Sequence, residues 1–272
     1  MVRSLWTAAS GMIAQQTNVD TIANNLANVN THGYKTEVNE FKSLLYQNIQ
    51  AKTTTADGSP KPIAAQVGLG VRNASITSVF KQGSLQAVES DSAFAIDGSG
   101  FFAVKGDDGE TYYTRNGNFS WNLGLNGSIM LTNSDGLAVL DSTGKPISLN
   151  SQYVTSKIGI SKDGQICYPD KDNNMAPLGM SIGVFQFLNP AGLTKEGDSL
   201  YAVSPASSDA INEATNPNVQ KSAIIQGYLE GSNVQVVDEM VNMIVAQRAY
   251  ELNSKAITAS DEMMQQANNL RR

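Results

Sequence analysis

The chain holds one cysteine and one histidine among 272 residues. Cys167 alone forms no intramolecular disulfide and no cysteine-based zinc site. His32 alone builds neither a serine-type triad nor a His-rich metal site. No run of 18 apolar residues occurs, so a helical membrane span is not expected. Lys and Arg are not clustered and the formal net charge is −6, which argues against a nucleic-acid partner. Residues 1–16 carry one Arg but no unbroken apolar stretch, unlike a cleaved secretory leader. The expectation is a chain that stays where it is made or leaves by an uncleaved route. Charged residues are few, at 16%.

From Val234 to the end there is neither Pro nor Gly. Val234, Val237, Val241, Val245, Ala249, Leu252, Ala256, Ala259, Met263, Ala267 and Leu270 recur in steps of three or four, the spacing of one helical face. Met240, Met243, Tyr250, Ile257 and Met264 form a second stripe beside it. Ser232 and Asn233 follow a glycine, and Asp238 and Glu239 suit the first turns. Such a helix would run about 55 Å, too long for a small domain to cover. Leu252 and Ile257 lie on different stripes, so one is expected to face an intramolecular helix and the other a neighbouring molecule.

The N-terminal segment predicts the partner helix. Leu5, Met12, Val19 and Leu26 stand seven apart, a heptad-like stripe. Its other face carries amides and hydroxyls, including Asn24, Asn25 and Asn28, with Asp20 the lone charge between Ser4 and Asn30. Amides suit a surface that is buried but must stay hydrogen-bonded. The alternative is a weak helix that frays. Asn30-Thr31-His32-Gly33 marks its end. Phe41, Leu44, Leu45 and Tyr46 predict a short helix within 34–50. Residues 51–66 read as an extended arm or linker, with Pro60 and Pro62 limiting its freedom and Ile63 offering an apolar contact.

From about 67 to 228 short β-rich runs alternate with turn pairs such as Asp97-Gly98, Asp108-Gly109, Asp135-Gly136 and Asp163-Gly164. Strands are expected at 71–79, 94–96, 101–104, 111–114, 129–131, 138–140, 158–160, 182–187 and 199–203. No helices alternate with them, so the sheet is not a parallel α/β sheet. Gly98-Ser99-Gly100 resembles a dinucleotide loop, but a strand and a turn follow where a helix is required. Asp170–Asn174 resembles a calcium loop, but Met175 stands where Gly is needed. Cys167 reads as a small buried strand residue. The fold class expected is α+β: long N- and C-terminal helices paired as a coiled-coil-like unit (1–45 with 229–272), an arm (46–66), and an inserted, mostly antiparallel β-domain (67–228). No cofactor, metal or small-molecule substrate is expected.

Residues 23–35, from Ala23-Asn24-Asn25-Leu26 to Gly33-Tyr34-Lys35, resemble the N-terminal signature of the bacterial flagellar rod and hook family. Ser232-Asn233-Val234, Glu239–Ile244 and Ala246–Ile257 are similar to its C-terminal signature. Residues 95–102 and 113–119 are similar to its β-domain. Length and the opening Arg3-Ser4-Leu5-Trp6 place the resemblance nearest the distal-rod branch, with the proximal rod subunit of similar size as the alternative. The resemblance implies a non-enzymatic subunit that polymerises helically into a drive shaft, with proximal rod below and hook above. It also allows a surrounding ring as bushing and implies uncleaved export by the flagellar type III apparatus. Leu5, Met12, Val19, Leu26, Asn24, Asn25, Asn28, Val241, Val245, Leu252, Ile257, Met264, Pro60, Pro62 and Ile63 are then the candidate assembly residues. In another class, the same pattern fits a ligand-binding or enzymatic β-module with helical arms.

Overall fold

A computed structural model of the chain describes residues 2–50, 65–124, 127–170 and 174–270. Pro60, Pro62 and Ile63 of the expected arm lie outside the described residues, as does most of the loop after Asp170. The contacts divide the chain into two units. The first combines Met1–Ala27, Glu37–Ser78 and Gln235–Arg272. The second combines Asn28–Thr36 and Val79–Val234.

In the first unit, α1 (Val2–Ala27) and α2 (Val236–Asn269) pack against each other. The Ser4 and Ser260 hydroxyls are 3.4 Å apart, and the Asn253 side chain lies against Gly11. Rising numbers on one helix meet falling numbers on the other, so the pair is antiparallel. An antiparallel ribbon, Glu37–Ser43 with Val71–Ser78, packs beside α1. Ser10 Oγ accepts the Val71 N–H at 3.3 Å. The strands Tyr46–Gln50 and Ala65–Gly68 form a second ribbon.

The short helix expected within 34–50 is not formed. Glu37–Ser43 and Tyr46–Gln50 are strands. Short apolar runs do not distinguish helix from strand, and here each segment finds a distant strand to complete its hydrogen bonds. The segment 67–78, assigned by sequence to the β-domain, belongs with the helices for the same reason. The helix start expected at Ser232 and Asn233 is displaced to Gln235, which makes no side-chain cap. Asn233 spends its side chain elsewhere, as described below.

The second unit is a mostly antiparallel β-structure. Phe101–Lys105 pairs with Thr111–Thr114, and that strand pairs with Leu200–Ala202. One core gathers Phe94, Ile96, Phe102, Val104, Phe119, Leu131, Ile147 and Ile166. A second gathers Phe101, Tyr113, Leu140, Phe187 and Tyr201, joined by edge-to-face rings. Gly164, of the turn pair Asp163-Gly164, has φ +78°, the left-handed backbone that hairpin turns favour. Gly98-Ser99-Gly100 links the strand Phe94–Asp97 to the strand Phe101–Lys105, and no helix follows. Cys167 lies on the strand Gln165–Pro169 but is half-buried rather than buried. Among the described residues no helix is long and apolar enough to cross a membrane. Among the described residues no cluster of His, Cys, Asp or Glu could hold a metal ion.

Candidate assembly surface

The face of α2 toward α1 is small and polar. Glu239, Ala246 and Ser260 are its buried residues, and Asn253 completes the same seven-residue spacing. Met243, Ile257 and Met264 run beside that row and are half-buried. The other apolar stripe has no cover. Val237 is 74% exposed, Val241 54%, Val245 63% and Leu252 66%. Thus Ile257 and Leu252 have different environments: Ile257 stands between Asn253 and Ser260, which touch α1, while Leu252 projects into solvent.

On α1 the buried positions are Ala8, Ala14, Thr21, Ile22 and Asn25. Leu5, Met12, Val19 and Leu26 are half-buried and flank that row. Trp6 is 72% exposed and Ile13 is exposed beside it in helical register. Asn25 is committed within the chain: its Nδ2 donates to the Glu37 carbonyl and its Oδ1 accepts the Glu37 N–H, each at 2.8 Å. Asn24 is exposed and Asn28 half-buried. The ribbons add Val38, Phe41, Leu45, Tyr46, Ile49 and Ile76, all exposed. Among the described residues of this unit, Ile22 is the one large apolar side chain that is fully buried. A unit built this way leaves most of its apolar surface in water, the reverse of the second unit. Apolar exposure on this scale marks an interaction face.

Charge follows the same division. The helical unit carries nine basic and nine acidic residues, whereas the β-rich unit carries ten basic and sixteen acidic. The net charge of the chain therefore belongs to the β-rich unit.

That unit also holds a buried ionic cluster that sequence reading missed. Lys35 Nζ lies 2.5 Å from Glu230 Oε1 and donates to the Lys81 carbonyl at 2.9 Å. Arg115 reaches Glu230 Oε2 at 3.2 Å and the Gly98 carbonyl at 2.6 Å. The guanidinium sits 5.2 Å from the Phe101 ring centre. All three charged side chains are essentially excluded from water. Burial pushes the Lys35 and Arg115 pKa values down, and the Glu230 carboxylate opposes both shifts. Nothing local in the sequence joins residues 35, 115 and 230. The one available signal is that Lys35 and Arg115 fall inside the segments that carry the family resemblance.

Three family models match the chain in order. Residues 5–35 match the flagella basal body rod protein, 95–168 the D1 domain of the flagellar hook protein FlgE/F/G, and 225–270 the C-terminal region of the flagellar basal body rod FlgEFG proteins. The flagellar basal-body rod protein FlgG of Borreliella burgdorferi is 42% identical, covering all of both chains. FlgG of Caulobacter vibrioides is 38% identical over 99% of this chain and all of its own. FlgG of Bacillus subtilis is 36% identical, again covering both chains fully.

Proposed function

The chain belongs to the flagellar basal-body rod family, of the FlgG type, and on that premise we propose that it is a structural subunit of the distal rod. It polymerises helically with copies of itself and carries torque toward the hook. The observation that supports this reading is the uncovered apolar stripe of α2, with Trp6 and Ile13 of α1. A single molecule leaves this surface in water, whereas a head-to-tail repeat buries it in every subunit and generates an open helix where the rotation does not close.

In this reading α1 and α2 pack as a coiled-coil-like pair in the inner layer. Neighbouring axial proteins, proximal rod on one side and hook on the other, cap the ends of the polymer, within a surrounding ring. The subunit works by packing and not by catalysis. Export is uncleaved, through the flagellar type III apparatus. The span 51–66 orders against a neighbouring subunit and stiffens the shaft. Its deletion is expected to give rods that polymerise but bend, and straight rods of normal length on electron micrographs of basal bodies would rule that role out. The test of the whole reading is complementation. A strain lacking its own distal rod subunit and supplied with this chain is expected to regain complete rods in isolated basal bodies. Basal bodies without the chain would overturn the reading.

A further inference from the structure

Three segments of the β-rich unit, 28–36, 79–83 and 230–234, are joined by side-chain hydrogen bonds and a few single backbone bonds rather than by a strand ladder. Each adjoins a point where the chain passes to the helical unit: beyond Ala27, Thr36, Ser78 and Val234. Two acceptors organise them. Glu230 takes Lys35 Nζ and the Gly83 N–H on one carboxylate oxygen and Arg115 on the other. Its backbone carbonyl takes the Gly33 N–H at 2.8 Å. Asn233 Oδ1 accepts both the N–H and the hydroxyl of Thr36 at 2.7 Å. Asn233 Nδ2 donates to the Val79 and Lys81 carbonyls at 2.9 and 3.0 Å. Val79 N–H closes the set by donating to the Thr36 carbonyl at 2.8 Å.

Well-packed apolar side chains of the same volume would hold these segments at least as firmly, because a buried ion pair gains little net stability. They would not fix register. A carboxylate with two directed oxygens, and an amide that both donates and accepts, accept one alignment of three backbones and penalise every other by leaving a buried polar group unpaired. Gly33 fits the same design. Its φ is +72°, and a Cβ there would meet the Asn116 nitrogen at 2.6 Å.

We propose that Lys35, Glu230 and Asn233 are positioning residues that lock these three segments in one register, so that the chain leaves the β-rich unit from fixed points. Their use in a filament rests on the rod-subunit reading; the lock itself does not. Repeated subunits need identical exits, since an error in one is copied along a helix. Arg115 neutralises the remaining carboxylate oxygen, and the nearby Glu213 carboxylate acts on Arg115 in turn.

The test is amide hydrogen exchange on the full-length monomer, comparing wild type with Glu230→Gln and Asn233→Ala. In Glu230→Gln the amides of Gly33, Gly83 and Gly231 are expected to exchange on the order of 100-fold faster. In Asn233→Ala, which buries no new charge, Thr36 and Val79 are expected to respond. In both, the core amides of Leu131, Leu140 and Ile147 are expected to keep wild-type rates. Uniform acceleration across the unit, no acceleration, or global unfolding of both variants would overturn the proposal, because the residues would then act on stability or on nothing. The measurement needs no filament. The selective pattern in a chain that builds no rod would sink the rod reading and leave the lock standing.

Discussion

Leu252 and Ile257 offer a direct separation of assembly from folding. Leu252 is two-thirds exposed on α2. Burying the rest of a leucine is worth about 1–2 kcal/mol, and Leu252→Glu forfeits that. A carboxylate taken out of water without a partner adds about 3–5 kcal/mol. The loss at each subunit contact is at least about 4 kcal/mol, or roughly a thousandfold in the concentration needed to polymerise. The monomer is expected to be indifferent. Glu and Leu have similar helix propensity, and surface changes stay within about 0.5 kcal/mol. Ile257→Glu acts differently, because Ile257 is half-buried beside the Asn253 and Ser260 contacts with α1. It is expected to lower the stability of the helix pair by about 2 kcal/mol or more before any assembly begins. The assays are circular-dichroism melts of the monomers, then soft-agar motility and electron microscopy of basal bodies in strains carrying each variant. Leu252→Glu should melt like wild type and stop rod growth. A motile Leu252→Glu strain with rods of normal length would refute the assignment of this face to subunit contacts.

Other perturbations test other levels of the structure. In dilute monomer, amides of α1 and α2 are expected to exchange faster than those of the β-rich cores. The helix pair buries few large side chains against an ordering cost of about 1–2 kcal/mol per residue. Equal protection in both units would refute this. Gly33→Ala is expected to lower the stability of the β-rich unit by about 2 kcal/mol or more in a urea titration, since it places a Cβ on left-handed backbone against Asn116. Burial raises the Tyr113 pKa, so its contribution to stability is complete below the unfolded value of about 10 and is lost as pH rises through the higher folded value. Tyr113→Phe should therefore gain on wild type as urea melts are moved to higher alkaline pH. Lys35 has the opposite sign, its folded pKa being lowered, and it contributes equally to both chains in that comparison.

The long helices were legible because their apolar periodicity runs for many turns. Strands such as Phe101–Lys105 and Thr111–Thr114 were legible because turn pairs bracket them. The ribbon strands were not. Phe41, Leu44, Leu45 and Tyr46 have helical spacing, and only the distant Val71–Ser78 and Ala65–Gly68 decide otherwise. The face joining the helices was legible only in part. A search for the largest apolar residues selects Leu5, Met12, Val19 and Leu26, which are half-buried, while Ser4, Gly11, Asn253 and Ser260 also meet across the pair. Small residues let helices approach closely but give no hydrophobic signal. The Glu230 cluster lay beyond any pattern search, since its members are separated by up to 195 positions.

The antiparallel pairing of the two ends sets a clock. Ser4 meets Ser260, and Lys35 meets Glu230, so the first residues to be made wait for nearly the last. Contacts so distant in sequence make folding slow, because loop closure comes before the reward. Until Glu230 arrives, closing the β-rich unit would strand Lys35 and Arg115 as two unpaired buried cations. A chain still emerging from a ribosome therefore lacks the partners for both closures until residues 230–260 are made. Its two ends close on each other only once both have been made.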